Sequence, residues 1–204
     1  MTSEARTIPE IQEEAGRIGS EILTDWHNTL DAIKGDREPE AGLYLDRLND
    51  EQRMALLREQ KERSMDEARA RTIEEYRANR ESYRDETLAR TAHLKRELFG
   101  EHHAERIERM ALASEEELAR LMDRASFTES QELAQAVFME AHSREAGDLV
   151  ARYFDEVDPE ARDLYNEWRE APGAEVLERQ IESVETIVHR PSVDSLMPGP
   201  RVGV

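Results

Sequence analysis

The side chains best suited to chemistry are six histidines set among an abundance of carboxylates. His93 and Glu97 stand four residues apart, the spacing that brings two ligands to one helical face. Glu101, His102, His103 and Glu105 crowd one short stretch, and Glu185 precedes His189 by four. Imidazole and carboxylate at such spacing could hold a transition metal. The more specific patterns do not occur: there is no His-Glu-x-x-His, and no Glu-x-x-His pair of the kind that builds a carboxylate-bridged site in a helical bundle. These histidines are therefore read as structural or solvent-exposed, and no metal or other cofactor is expected.

Other chemistries find less. The carboxylates are too many for a catalytic pair to stand out, since general acid–base work needs a cleft that shifts one pKa from its neighbours. Neither phosphate-binding glycine loop, GxxxxGK[ST] or GxGxxG, is present, and Ser114, Ser126, Ser130 and Ser143 lack the GxSxG elbow. With no cysteine there is no disulfide, thiol nucleophile or thiolate site. The expectation is a protein that is not an enzyme.

Charge narrows the partners. The net charge is −19, with 38% apolar and 37% charged residues. That balance opposes direct duplex nucleic-acid binding, which depends on cations displacing counterions from phosphates. The charge is also unevenly placed: residues 1–45 carry −6, residues 46–99 are neutral, and residues 100–204 carry −13. No apolar run is long enough to span a bilayer, and the acidic start MTSEARTIPEIQEEAG does not read as a signal peptide, so a cytoplasmic protein or a component of a large assembly is expected.

The elements that would position these groups are all helical. Ile8, Ile11, Ala15, Ile18, Ile22, Trp26, Leu30 and Ile33 recur at three and four residues, an amphipathic stripe opened by the capping pattern TIPE. The connector KGDREPEAG follows. From Asn49 or Asp50, either of which is a capping type, there is no proline or glycine as far as Phe99. That run predicts one helix of about 50 residues, and at the rise of an α-helix it would be about 75 Å long. Along it Glu59, Arg63, Glu67, Arg71 and Glu75 alternate in sign at four-residue steps. Met54, Met65, Tyr76, Thr87 and Leu98 repeat at eleven, as do Arg47, Arg58, Arg69 and Arg80. An eleven-residue period fits a straight or slightly right-handed packing. Lys61, Asn79 and Arg90 fall near that seam, and Tyr76-Arg77 and Tyr83-Arg84 repeat at seven instead.

Beyond Gly100 shorter helices are predicted. Ser114 with Glu117 makes a capping box, Thr128 with Gln131 a second, and the segment 129–157 carries the richest apolar set, including Leu133, Val137, Phe138, Leu149, Tyr153 and Phe154. Asp158-Pro159 opens a further helix with Leu164, Tyr165 and Trp168 inward, and a last helix spans 174–188. The tail HRPSVDSLMPGPRVGV holds three prolines and two glycines and reads as extended.

The expected architecture is thus all-α and elongated, with four parts: an amphipathic helix and connector at 1–42, a long zwitterionic helix at 43–100, an acidic helical cluster at 101–188, and an extended tail at 189–204. Partner contacts are expected at Trp26, Met65, Tyr76, Tyr83, Val193, Leu196, Met197 and Val202, the large apolar side chains on the long helix and the attachment segments. In size, charged all-helical character and extended ends the chain resembles the minor virion and scaffolding proteins of tailed bacteriophages. That resemblance implies a non-catalytic role in a large multi-subunit complex, with protein partners and copies of itself; the tail lacks the basic cluster many such scaffolds use on coat protein, which leaves a transient scaffold and a permanent component both open. The alternative from charge alone is an acidic adaptor, chaperone or regulator that binds a basic protein.

Overall fold

The computed structural model describes residues 6–39, 47–99 and 110–198. Among these residues the regular structure is all-α: α1 Ile8–Gly35, α2 Asp50–Phe99, α3 Glu115–Thr128, α4 Gln131–Ser143, α5 Gly147–Glu156, α6 Ala161–Glu170, α7 Ala174–Glu182, α8 Val184–Ile187 and α9 Val193–Leu196. None of these helices is long and apolar enough to cross a membrane.

Helix α2 is unbroken for 50 residues. Its start is a reciprocal cap, an arrangement that satisfies two donors at once. The Gln52 backbone N–H donates to Asn49 Oδ1 at 2.8 Å, and the Asn49 N–H donates to Gln52 Oε1 at 3.0 Å. The buried side of α2 follows the eleven-residue period closely. Leu57, Lys61 and Met65 begin a pattern that recurs as Ala68, Thr72 and Tyr76, then Asn79, Tyr83 and Thr87, then Arg90, Leu94 and Leu98. Ten of these twelve are buried, and Asn79 and Arg90 are half-buried. Steps of four, four and three average about 3.67 residues per turn, so the stripe stays on one side without a left-handed supercoil. Met54, the first member of the predicted series, is exposed.

The polar residues that interrupt this seam are the ones it uses for specific bonds. Lys61 is 3% exposed and donates through Nζ to Ile33 O at 2.6 Å, Lys34 O at 3.1 Å and Leu196 O at 2.8 Å. Asn79 Nδ2 donates to Ala15 O at 2.9 Å. Arg90 makes a two-pronged bond to Glu167 at 2.8 and 2.9 Å. A polar group in a seam is tolerated when its donors find acceptors, and it then fixes register.

The chain divides into two units, which both draw on α2. One comprises Pro9–Asp85 with Gly173–Val204. Here α1 packs antiparallel to α2: Ala15 meets Tyr83, Gly19 lies against Tyr76, and Trp26 joins Met65 and Ala68. Gly19 lets the two helices approach closely: a Cβ there would sit 3.2 Å from the Tyr76 ring, a tight contact that the ring would have to yield to. The predicted α1 stripe is correct in kind, with Ile11, Ala15, Trp26 and Ile33 buried. Leu177, Val184 and Val188 of the C-terminal segment are buried as well, so α7 and α8 belong to this unit and not to the cluster that precedes them.

The other unit comprises Met1–Ile8 with Glu86–Pro172. Its core centres on Phe138 of α4, which stacks on Phe99 and on Tyr153 with centroids 5.6 and 4.4 Å apart and makes edge contacts with Phe154 and Tyr165. Edge-to-face and offset arrangements bring positive ring edges to negative ring faces and add to area burial. Ser114 caps α3 as predicted, accepting from the Glu117 N–H.

Several boundaries differ from the sequence reading, and the last predicted helix, 174–188, is two, α7 and α8, parted at Ser183. Thr128 is not a cap but the last residue of α3, its hydroxyl turned back to Arg124 O, and Ser130 stands at the start of α4. The segment 129–157 is two helices, because Arg144 leaves the helical path and Glu145 takes a left-handed conformation with φ 58°. The tail is not wholly extended, since Ser192 caps the short α9 by accepting from the Asp194 N–H.

Candidate interaction surfaces

The most developed surface in the first unit is the place where residues 188–198 lie on α1 and α2. Val188 and Leu196 are buried with Trp26, Ile33, Met65 and Ala68, and Val193, Leu23, Leu30 and Ile73 are packed around them. The end of a helix leaves carbonyls without intrahelical partners. Lys61 reaches those of α1 at Ile33 and Lys34, and the same ammonium group takes Leu196 O from α9. Burial pushes the Lys61 pKa down, partly opposed by the charge of Asp36. The eleven-residue arginine column runs beside this groove. Arg58 pairs with Asp194 at 2.7 Å, Arg69 Nε donates to Val188 O, and Arg80 donates to the Tyr76 hydroxyl while lying over its ring. With the signs reversed, Arg190 of the segment reaches Glu62 and Asp66 of α2.

The structure thus gathers four of the eight expected partner residues, though against one another. Trp26, Met65 and Leu196 share this cluster with Val193, and Met197 follows, half-buried. Tyr76 and Tyr83 are buried along α1, with Tyr83 packed on Ile11, Ala15 and Leu177. These side chains are covered by the chain itself, because α1 and the C-terminal segment lie on the apolar face of α2. Val202 lies outside the described residues.

Two apolar side chains that the sequence reading passed over are left uncovered: Leu112 is 93% exposed and Phe127 is 89% exposed. Both sit on braced backbone. The turn that carries Leu112 is held by Arg144, whose guanidinium donates to Ala113 O at 2.6 Å, Ala111 O at 3.0 Å and Met110 O at 3.1 Å while its Nε bonds the buried Glu140 carboxylate at 2.6 Å. Phe127 projects from the last turn of α3, away from the buried Leu118, Met122 and Ala125, and the turn is closed by the Ser130 N–H donating to Ala125 O. No periodicity marks Leu112 or Phe127, because the signal lies in what fails to cover them.

The same unit has an open groove of about 760 Å³ between α5 and α6, lined by Phe154 and Tyr165 together with Arg162, Asn166 and Arg169. His142 Nδ1 lies 3.0 Å from the Tyr165 hydroxyl. Burial first, and the nearby Arg169 charge second, hold its imidazole below the ordinary histidine pKa, which keeps it neutral near physiological pH. Arg162 is engaged with Asp155 and leans over the Phe154 ring. Arg162 and Arg169 give the groove positive charge, and its Tyr165 hydroxyl has the His142 imidazole beside it. A second hollow, about 490 Å³, lies along α1 and α2 between Asp25, Thr29, Arg71 and Glu75.

Among the described residues the histidine sets do not converge. His93 and Glu97 pair with each other at 3.3 Å, both exposed, and among the described residues no three histidine or carboxylate side chains gather as a metal site. Glu185 is turned to Arg77. Glu101, His102, His103 and Glu105 lie outside the described residues. Comparison of the chain with protein-family models, curated proteins and solved structures gives no match.

Proposed function

We propose that this protein is a non-catalytic structural or assembly component of a multi-subunit complex, working in several copies or alongside other proteins; a scaffolding or minor virion component is the kind of role its composition favours. The observation that carries the reading is α2. It is a 50-residue helix whose eleven-residue seam supplies Met65 and Ala68 to one core and Leu98 to the other, and whose seam residues are buried or half-buried from Leu57 to Leu98. Average globular helices are about a quarter of that length, and holding one in a single piece serves mechanical continuity better than it serves a catalytic cleft. Leu112 and Phe127 are two further apolar side chains that are exposed on braced backbone.

Light scattering coupled to size-exclusion chromatography, run with small-angle X-ray scattering over a concentration series, tests the reading. A mass that rises to a defined multiple of 23.6 kDa is the expected result. A monomer at every concentration, joined by no protein partner, overturns it.

A further inference from the structure

We infer that the groove on α1 and α2 is an exchangeable docking site, and that in the assembled state its occupant is residues 190–198 of a second copy. The inference rests on the assembly reading above and names the surface that would serve it.

Complementarity specifies the occupant. The groove offers Arg58 to Asp194, Glu62 and Asp66 to Arg190, the Lys61 ammonium to Leu196 O, and an apolar seat among Trp26, Ile33 and Met65 for Leu196. Charges of both signs are matched in a fixed order along a short segment, so a random acidic or basic peptide would satisfy one half and oppose the other. Every copy carries both the groove and its occupant. A neighbour's segment would make the same contacts as the chain's own, and the two arrangements differ in the hinge and in the entropy of association.

The hinge and the groove both favour such an exchange. Residues 189–192 are non-helical and contain Pro191, whose ring fixes φ and confines Arg190 to extended backbone. Such a connector resists folding tightly back and directs the segment outward once it lifts. The segment itself is light: four helical residues, one buried leucine, and ion pairs whose side chains are about half exposed and therefore weak. The groove, by contrast, is costly to leave empty, since Lys61 is a desolvated cation that relies on Leu196 O for one of its three bonds. The cost of leaving the groove empty favours refilling it, and a neighbour's segment carries the same groups that the chain's own does. A short tether holds its own segment at an effective concentration of about millimolar, so exchange becomes appreciable at that concentration or within an assembly that gathers copies to it.

The absence of cysteine makes a direct test clean. Arg58 and Asp194 touch at 2.7 Å and are exposed, so Arg58→Cys and Asp194→Cys leave the core alone. The doubly substituted chain, diluted, should be bridged within itself by a short bis-maleimide. The two singly substituted proteins are then mixed at about millimolar concentration, treated with the same reagent and analysed by mass spectrometry, with light scattering on the untreated mixture. A covalent heterodimer joined at 58 and 194, absent when either protein is treated alone, is the expected result. A multi-copy mass without that heterodimer overturns the exchange while the assembly reading stands, because the copies then join elsewhere. A monomer throughout overturns both. Failure of the double variant to bridge within itself or between copies also overturns the inference, since the segment would then not occupy this groove.

Discussion

Removing the Glu167 carboxylate should unfold the unit around Phe138 far more readily than its position near a helix surface would imply. Glu167 and Arg90 have side chains only 11% exposed, joined by two bonds at 2.8 and 2.9 Å, and Glu167 Oε1 also accepts the Ile8 backbone N–H at 2.8 Å. Burial pushes the Glu167 carboxyl up, but the bonds from Arg90 and Ile8 together with the Arg90 charge outweigh it and hold the group below its ordinary value of 4.5. Taking one partner from such a pair leaves the other charge buried and uncompensated, at a cost of about 3–5 kcal/mol, against a total domain stability of about 5–15 kcal/mol. Glu167→Ala and Arg90→Ala should each lose about 3 kcal/mol or more, and the double variant should lose much less than their sum, with a coupling energy of about 2 kcal/mol. The two tryptophans, Trp168 here and Trp26 in the other unit, allow a local readout: urea unfolding followed by Trp168 fluorescence in a Trp26→Phe background. The pH dependence has a definite sign. A carboxyl with a depressed folded pKa binds fewer protons when folded, so its stabilisation is present above the ordinary value of 4.5 and is lost as pH falls through the folded value. The stability difference between the parent and Glu167→Gln should therefore narrow once the pH falls below 4.5. A coupling energy under about 0.5 kcal/mol, the range of an exposed pair, would refute the assignment of this pair as a buried determinant.

Lys61→Met should lower the stability of the Trp26-containing unit by about 2 kcal/mol, since the apolar side chain relieves a desolvated charge but strips donors from Ile33 O, Lys34 O and Leu196 O. Limited proteolysis should then cut within 189–198 sooner than in the parent, and an unchanged cleavage rate would show that Lys61 does not hold the segment. Gly16→Ala should raise stability in thermal unfolding by up to about 1 kcal/mol, because nothing lies within 4 Å of the new Cβ. Gly19→Ala should bring no such gain, because its Cβ meets Tyr76, Asn79 and Arg80. Equal gains at both positions would mean that α1 and α2 are farther apart than the packing requires. Leu112→Ser and Phe127→Ser should each leave unfolding stability within about 0.5 kcal/mol of the parent, as exposed substitutions do. Both should weaken self-association or partner capture in sedimentation, and a large stability loss would show that these residues are covered.

Local chemistry was legible without the fold. The Asn49 and Ser114 caps, the unbroken run from 50 to 99 and the eleven-residue recurrence of Met65, Tyr76, Thr87 and Leu98 are matters of i to i+4 bonding and helical period, which neighbouring residues settle among themselves. Two things depended on residues far apart in the chain. Lys61, Asn79 and Arg90 look like interruptions of the seam until their acceptors at Ile33, Ala15 and Glu167 come into reach, and no spacing reveals an acceptor on another helix. At the break after Ser143 the Arg144 guanidinium likewise meets the carbonyls of Met110, Ala111 and Ala113, acceptors that its spacing does not reveal. Burial was the other. Trp26, Met65, Tyr76 and Leu196 stand out in the sequence by size and placement and are expected there to meet a partner, but which surface meets them is a question of which segments the chain folds over α2. Helical period says which side of a helix is apolar; only tertiary packing says what covers it, and at Leu112 and Phe127 that nothing within the described residues does.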